Sequence, residues 1–157
     1  MKMKKYIILL ALIFPLIFDQ CNAGNRDRAE TKSEVTENEN VAELTDASFK
    51  KLIFDYEANK EWKYEGSKPS IIDFYADWCA PCRQLSPLVE EIAKEYSGRI
   101  DIFKVDTEKE TMLTRVIGVS ALPTLLFIPA EGSPQFTVGV LSKESLLKAI
   151  NEILLVE

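Results

Sequence analysis

From Val41 onward the apolar positions fall into short runs of recognisable period. Thr45 or Asp46 can cap a helix whose Phe49, Leu52, Ile53 and Tyr56 recur at spacings of three and four, the period of one helical face. Trp62 to Ser67 reads as a connection or a short edge strand. Ser70 to Ala76 (SIIDFYA) is a compact apolar run, the mark of a strand covered on both faces. A helix follows from Ala80 to Tyr96, with Leu85, Leu88, Val89, Ile92 and Ala93 on its inner face. Pro81 falls in its first turn, where a missing N–H does no harm. Pro87 falls inside it and predicts a kink, because it removes a backbone bond. Ser97-Gly98 closes the helix.

Ile100 to Val105 is a second buried run. Strand, long helix and strand in this order predict a right-handed βαβ unit with parallel strands. Thr107 and Glu110 have the spacing of a capping box for a short helix bearing Met112, Leu113, Val116 and Ile117, ended by Gly118. Thr124 to Ile128, bracketed by Pro123 and Pro129, is another strand. After the turn at residues 129–134, Gln135 to Val140 alternates Phe136, Val138 and Val140, which predicts an antiparallel hairpin with one solvated face. Ser142 caps a last helix carrying Leu146, Leu147, Ile150, Ile153 and Leu154. The class is α/β: a central mixed sheet flanked by helices, built as a βαβ unit followed by a β-hairpin and a C-terminal helix.

The first forty residues have a different texture. Lys2, Lys4 and Lys5 precede a 13-residue apolar run, Tyr6 to Phe18. A spanning helix needs about 20 such residues, so residues 1–23 read as a signal peptide. Two ends fit: cleavage after Ala23, or a lipoprotein signal ending before Cys21, which would then carry the lipid. Asp19-Gln20 before that cysteine departs from the small residue usual there. Residues 24–40 hold one bulky aliphatic side chain, Val35, and read as a flexible polar tether. Residues 41–157 are the folded domain. The chain is thus expected to be exported, to the periplasm, either soluble or lipid-anchored at Cys21.

Charge and composition narrow the chemistry. The 157 residues carry 19 basic and 25 acidic side chains, a net charge of −6. Without residues 1–21, which hold three lysines and one aspartate, 16 basic and 24 acidic residues remain. That balance argues against a nucleic-acid partner, since phosphate binding needs clustered Lys and Arg. Histidine is absent from the chain. Serine–His triads, His-activated cysteines, His-ligated metals and haem attachment through CxxCH are thereby excluded. Three cysteines are too few for a four-thiolate zinc site.

With Cys21 removed or lipidated, Cys79 and Cys82 remain as an isolated pair in Trp78-Cys79-Ala80-Pro81-Cys82. The pair stands at a strand-to-helix junction. Unpaired N–H groups and the positive end of the helix dipole point at the Cys79 sulfur and favour its thiolate, the form that attacks disulfides. Cys82, inside the first turn, is placed to attack a mixed disulfide. Pro81 stiffens the loop, and Trp78 offers an aromatic wall beside the sulfur. A static bridge is the competing reading. It would close a loop of only four residues and gain little chain entropy.

The segment IIDFYADWCAPCRQLSP resembles the active-site region of thioredoxins, whose usual motif is WCGPC. The resemblance runs from about Phe49 to Leu154 and is closest to exported, periplasmic bacterial thioredoxins. It implies a thioredoxin fold with a sheet of four to five strands, and reversible dithiol–disulfide exchange. It implies Cys79 as the exposed nucleophile and Cys82 as the buried resolving thiol, the two forming the redox disulfide. Asp73 matches a buried carboxylate and Lys104 the lysine near it. Pro87 matches a helix-kinking proline, and Pro123 a cis-proline facing the disulfide. Gly139 matches a glycine flanking the substrate groove. Trp78, Ala80, Pro81, Leu122, Pro123 and Gly139 would then contact substrate, with the Leu122 backbone capturing an extended segment. Ala80 replaces the usual glycine, Leu122 the common isoleucine and Arg83 a lysine.

The residues themselves support part of this. Asp73 is the only charge in Ile71–Ala76 and shares a strand face with Ile71 and Tyr75. Buried there, its pKa would rise and it could accept the Cys82 proton through a water. Lys104, in the neighbouring strand, would pair with it. Phe74, Tyr75, Trp62 and Tyr64 read as packing rather than substrate contacts. The resulting expectation is a monomeric protein-disulfide oxidoreductase that needs neither metal nor organic cofactor. Its partners would be disulfide-containing exported proteins and a membrane thiol–disulfide electron donor. A disulfide-forming oxidase, a non-catalytic binding or chaperone module and a structural lipoprotein subunit with an inert bridge are the alternatives.

Overall fold

The structure, a computed structural model, describes residues 40–155. The readings of residues 1–23 as a signal, of Cys21 as a lipid site and of the tether up to residue 39 lie outside the described residues. In chain order the elements are β1 (Ala42–Glu43), α1 (Asp46–Leu52), β2 (Ser70–Tyr75), α2 (Ala80–Glu95), β3 (Asp101–Asp106), α3 (Thr111–Ile117), β4 (Thr124–Ile128), β5 (Gln135–Val138) and α4 (Lys143–Ala149). A π-helical turn, Ile150–Leu154, extends α4. The five strands form one mixed sheet in the order β1-β3-β2-β4-β5. β1 and β2 lie parallel to β3, whereas β4 runs antiparallel to both β2 and β5. The expected βαβ unit, hairpin and C-terminal helix are all present.

The strand alternation splits the core in two. Ile71, Ile102, Leu125 and Phe127 pack with Leu85, Val89 and Ile92 of α2, with Leu146 of α4 and with Ile150 of the π-helical turn. On the other face Ile72, Phe74, Val105 and Leu126 pack with Phe49 of α1 and Leu113 of α3. Each fully buried side chain of this size is worth roughly 1.5–3 kcal/mol. The central strands are covered on both faces, which is why β2 and β4 are continuous apolar runs rather than alternating ones. Among the described residues no helix is long and apolar enough to cross a membrane.

Several elements differ from the sequence expectation. β1, only two residues long, has no period to read and extends the sheet beyond β3. Residues 62–67 contain no strand; Tyr64 Oη instead donates to the Lys68 carbonyl at 2.5 Å. α1 stops at Leu52, so Tyr56 lies beyond it and Leu52 is exposed. Thr45 is its cap, and Ser48 answers with its own hydroxyl to the Thr45 N–H at 2.8 Å.

The Thr107/Glu110 capping box does not form. Glu110 is the N-cap of α3 but makes no side-chain cap bond. Its carboxylate accepts the Asp46 N–H at 2.9 Å, and Thr107 Oγ1 donates to the Tyr75 carbonyl at 2.9 Å. Both side chains are drawn into tertiary contacts that spacing alone cannot reveal. Met112 and Val116 face solvent, as do Phe136, Val138 and Val140. The last three lie on or just beyond the edge strand β5, beside a sheet whose other strands carry the core. Gly118 ends α3 at φ +85°, a left-handed conformation that other residues resist.

Candidate active site

β2 delivers the chain to a tight turn, and the turn delivers it to α2. Cys79 N–H donates back to the Ala76 carbonyl at 3.0 Å, and Arg83 Nη1 pins the Asp77 carbonyl at 2.7 Å. Cys79 is the N-cap of α2, with extended backbone at φ −77° and ψ 100°. Its Sγ accepts the Cys82 N–H at 3.2 Å, taking the place usually filled by a Ser or Asp cap. Pro81 sits in the first turn. The two sulfurs are joined as a disulfide, with Cα atoms 5.3 Å apart.

Around the pair, Ala76 is buried, and Tyr75 and Leu122 pack onto it. The Leu122–Pro123 peptide is cis. Pro123 is buried, and its carbonyl accepts the Gly139 N–H at 2.8 Å. Gly139 holds φ +92°. Ala80 and Pro81 are exposed, and Trp78 is 67% exposed. Cys79 does not match the exposed nucleophile expected from the resemblance: it is 2% exposed and Cys82 1%. The cause is the packing of the disulfide beneath Tyr75 and Leu122, with the turn folded around it.

On the α2 side of the sheet lies a cavity of about 250 Å³, lined by Asp73, Tyr75, Asp77, Ser86, Glu90 and Lys104 among others. Asp73 is buried in mid-strand, and its Oδ1 has no hydrogen-bond partner. Burial pushes its carboxyl up to about 7, against a smaller opposing pull from the Lys104 charge. Lys104 is the register partner of Asp73, as their neighbouring strands required. The expected ion pair between them is absent: Lys104 Nζ goes to Glu43 Oε1, at 3.9 Å. Ser86, one turn after Cys82 in α2, donates its hydroxyl to the Cys82 carbonyl at 3.0 Å. Pro87 lies next to it inside the helix and supplies no N–H for the Arg83 carbonyl.

Sequence reading missed Glu43 and Ser86. Glu43 sits on a strand too short to recognise, two strands away from Asp73. For Ser86 a signal existed, the four-residue spacing from Cys82 along a predicted helix.

A family profile described as thioredoxin matches residues 40–152. This chain belongs to the thioredoxin family. A thioredoxin of Borreliella burgdorferi is 47% identical over 109 residues, spanning 69% of this chain and 93% of that protein. A thioredoxin of Pyropia yezoensis is 32% identical over 112 residues, spanning 71% of this chain and 95% of that one. A solved thioredoxin of Malassezia sympodialis shares the fold with a TM-score of 0.59 at 25% identity, covering 72% of this chain and 90% of that one. Chloroplastic thioredoxin z, at 24% identity and a TM-score of 0.61, shows the fold alone; it covers 72% of this chain and 93% of its own. As a thioredoxin the chain is a thiol–disulfide oxidoreductase, and Cys79–Cys82 is its redox pair.

Proposed function

We propose that this thioredoxin reduces or exchanges disulfides of exported proteins through a mixed disulfide at Cys79. One observation carries the reading: the Cys79 sulfur caps α2 and accepts the Cys82 N–H. That donor and the helix dipole favour a thiolate at Cys79 in the reduced protein.

The Cys79 thiolate attacks one sulfur of the substrate disulfide. That S–S bond breaks, the first substrate thiolate leaves and takes a proton from solvent, and Cys79 is joined to the second substrate sulfur. Cys82 then gives its proton to Asp73 through a water, and its thiolate attacks Cys79 Sγ. The second substrate sulfur leaves as a thiolate. Two electrons have passed to the substrate, and the protein is left with the Cys79–Cys82 disulfide. A membrane thiol–disulfide relay of dithiol type returns the pair to the reduced form.

Leu122 packs on the cysteines, so a substrate segment lying along Leu122-Pro123 comes up to the sulfurs. Exposed Trp78, Ala80 and Pro81 form its rim, with Gly139 hydrogen-bonded to Pro123. Backbone capture of this kind tolerates varied substrate sequences. An export signal ending either after Ala23 or before Cys21 is supported by the three lysines and the short apolar run. The mature protein is periplasmic, soluble or anchored through Cys21. Intact mass of the mature N-terminus distinguishes the two.

The direct test uses Cys82→Ala with a disulfide-bonded protein substrate. A covalent adduct at Cys79, released by dithiothreitol, is expected. No adduct, or an adduct only with Cys79→Ala, would overturn the order of attack.

A further inference from the structure

Three adjacent strands place an acid, a lysine and an acid in one row. Glu43 of β1 is the register partner of Lys104 of β3, and Lys104 is the register partner of Asp73 of β2. Lys104 therefore stands between two carboxylates. It sits 3.9 Å from Glu43 Oε1, and among the described residues that is its only carboxylate within 4.0 Å. The same Glu43 oxygen accepts the Tyr75 hydroxyl at 3.4 Å, so the carboxylate is held from a second side.

We propose that Glu43 is a positioning residue for the dithiol chemistry: it holds the Lys104 ammonium on the β1 side, out of salt-bridge contact with Asp73. The physical preference is clear. Glu43 is exposed, so the ammonium can meet it while keeping part of its water. Reaching Asp73 would take the ammonium into a buried site and strip that water away. Among the described residues Lys104 is the only cation lining the cavity beside Asp73. The other charged groups there are Asp77 and Glu90, and Tyr75 is the remaining titratable one. From β4 the register partner is Leu125, which carries no charge. Among the described residues nothing else in the cavity wall can replace Lys104 as a counter-ion. Glu43 thereby decides whether Asp73 takes up a proton near neutral pH, where the Cys82 step needs it. The inference rests on the reading of Asp73 as the acceptor for the Cys82 proton.

The test follows the ¹³C resonance of the Asp73 carboxyl against pH in the oxidised protein, assigned with Asp73→Asn. Glu43→Gln, Lys104→Met and the double variant are compared with the parent. Glu43 is exposed and Lys104 half-buried, and neither belongs to the buried core. Glu43→Gln should lower the Asp73 midpoint by about one pH unit, as a freed cation turns to it. In the Lys104→Met background the same substitution should move it far less. An unchanged or raised midpoint overturns the proposal. So does an equal fall in both backgrounds, which would mark the plain loss of a distant charge. The pH dependence of mixed-disulfide resolution is measured beside it. A shifted Asp73 midpoint with an unshifted rate profile upholds Glu43 and refutes the proton-acceptor role of Asp73.

Discussion

Asp73 and Lys104 face each other across β2 and β3, yet the carboxylate and the ammonium do not pair. Asp73 is left buried with one oxygen unpartnered. A charge there is costly, so the carboxyl holds its proton up to about 7 instead of releasing it near 3.8. The acid is thereby poised between its two forms near neutral pH.

The same burial makes stability depend on pH. Between about pH 4 and about pH 7 the folded chain keeps a proton on Asp73 that the unfolded chain has lost. Stability conferred by the neutral form is complete below that window and falls as pH rises through it. Asp73→Asn removes the dependence. The variant should be more stable than the parent at pH 8 by on the order of 4 kcal/mol, and close to it at pH 4. Urea unfolding of the oxidised proteins at both pH values checks this. An equal difference at the two would contradict it.

Leu85 follows Cys82 by less than a turn and is fully buried against the sheet. It is one of the anchors that seat α2, and so the disulfide, on β2 and β4. Leu85→Ala should cost about 2–5 kcal/mol in urea unfolding, the range for a buried leucine that leaves a cavity. A loss under about 0.5 kcal/mol, typical of surface sites, would place the anchor elsewhere.

Glu110 joins two helices that lie far apart in sequence. Its carboxylate accepts the Asp46 N–H in the first turn of α1 while its own residue caps α3. Glu110→Ala should cost about 1 kcal/mol, like the loss of an N-terminal cap, whereas Thr107 and Glu110 should show no coupling in a double-mutant cycle. A coupling of the size expected for a reciprocal capping box would contradict the geometry.

These cases show where the sequence was legible. Strands β2 and β4 were readable because both faces are buried and the apolar runs are unbroken. The cysteine pair was readable because its spacing, its proline and the helix start coincide within five residues. Asp73 stood out as one charge in an apolar strand. Thr107 and Glu110 misled because their spacing is a local signal, while their partners Tyr75 and Asp46 lie 32 and 64 residues away. The solvent exposure of Phe136 and Val138 was hidden for a related reason. Alternation marks a strand, but it does not say whether a second layer covers it. Cys79 was expected at the surface from the family resemblance, and the packing of Tyr75 and Leu122 on the disulfide reverses that.

The central claim is that Cys79 is the attacking thiolate of the reduced protein. Alkylation of that form with limiting iodoacetamide from about pH 5 to about pH 9, with the labelled site read by peptide mass, tests it most directly. Label is expected on Cys79, with a midpoint below the about 8.5 of a free thiol, and little on Cys82. Label first on Cys82, or a Cys79 midpoint at or above the free value, would contradict it.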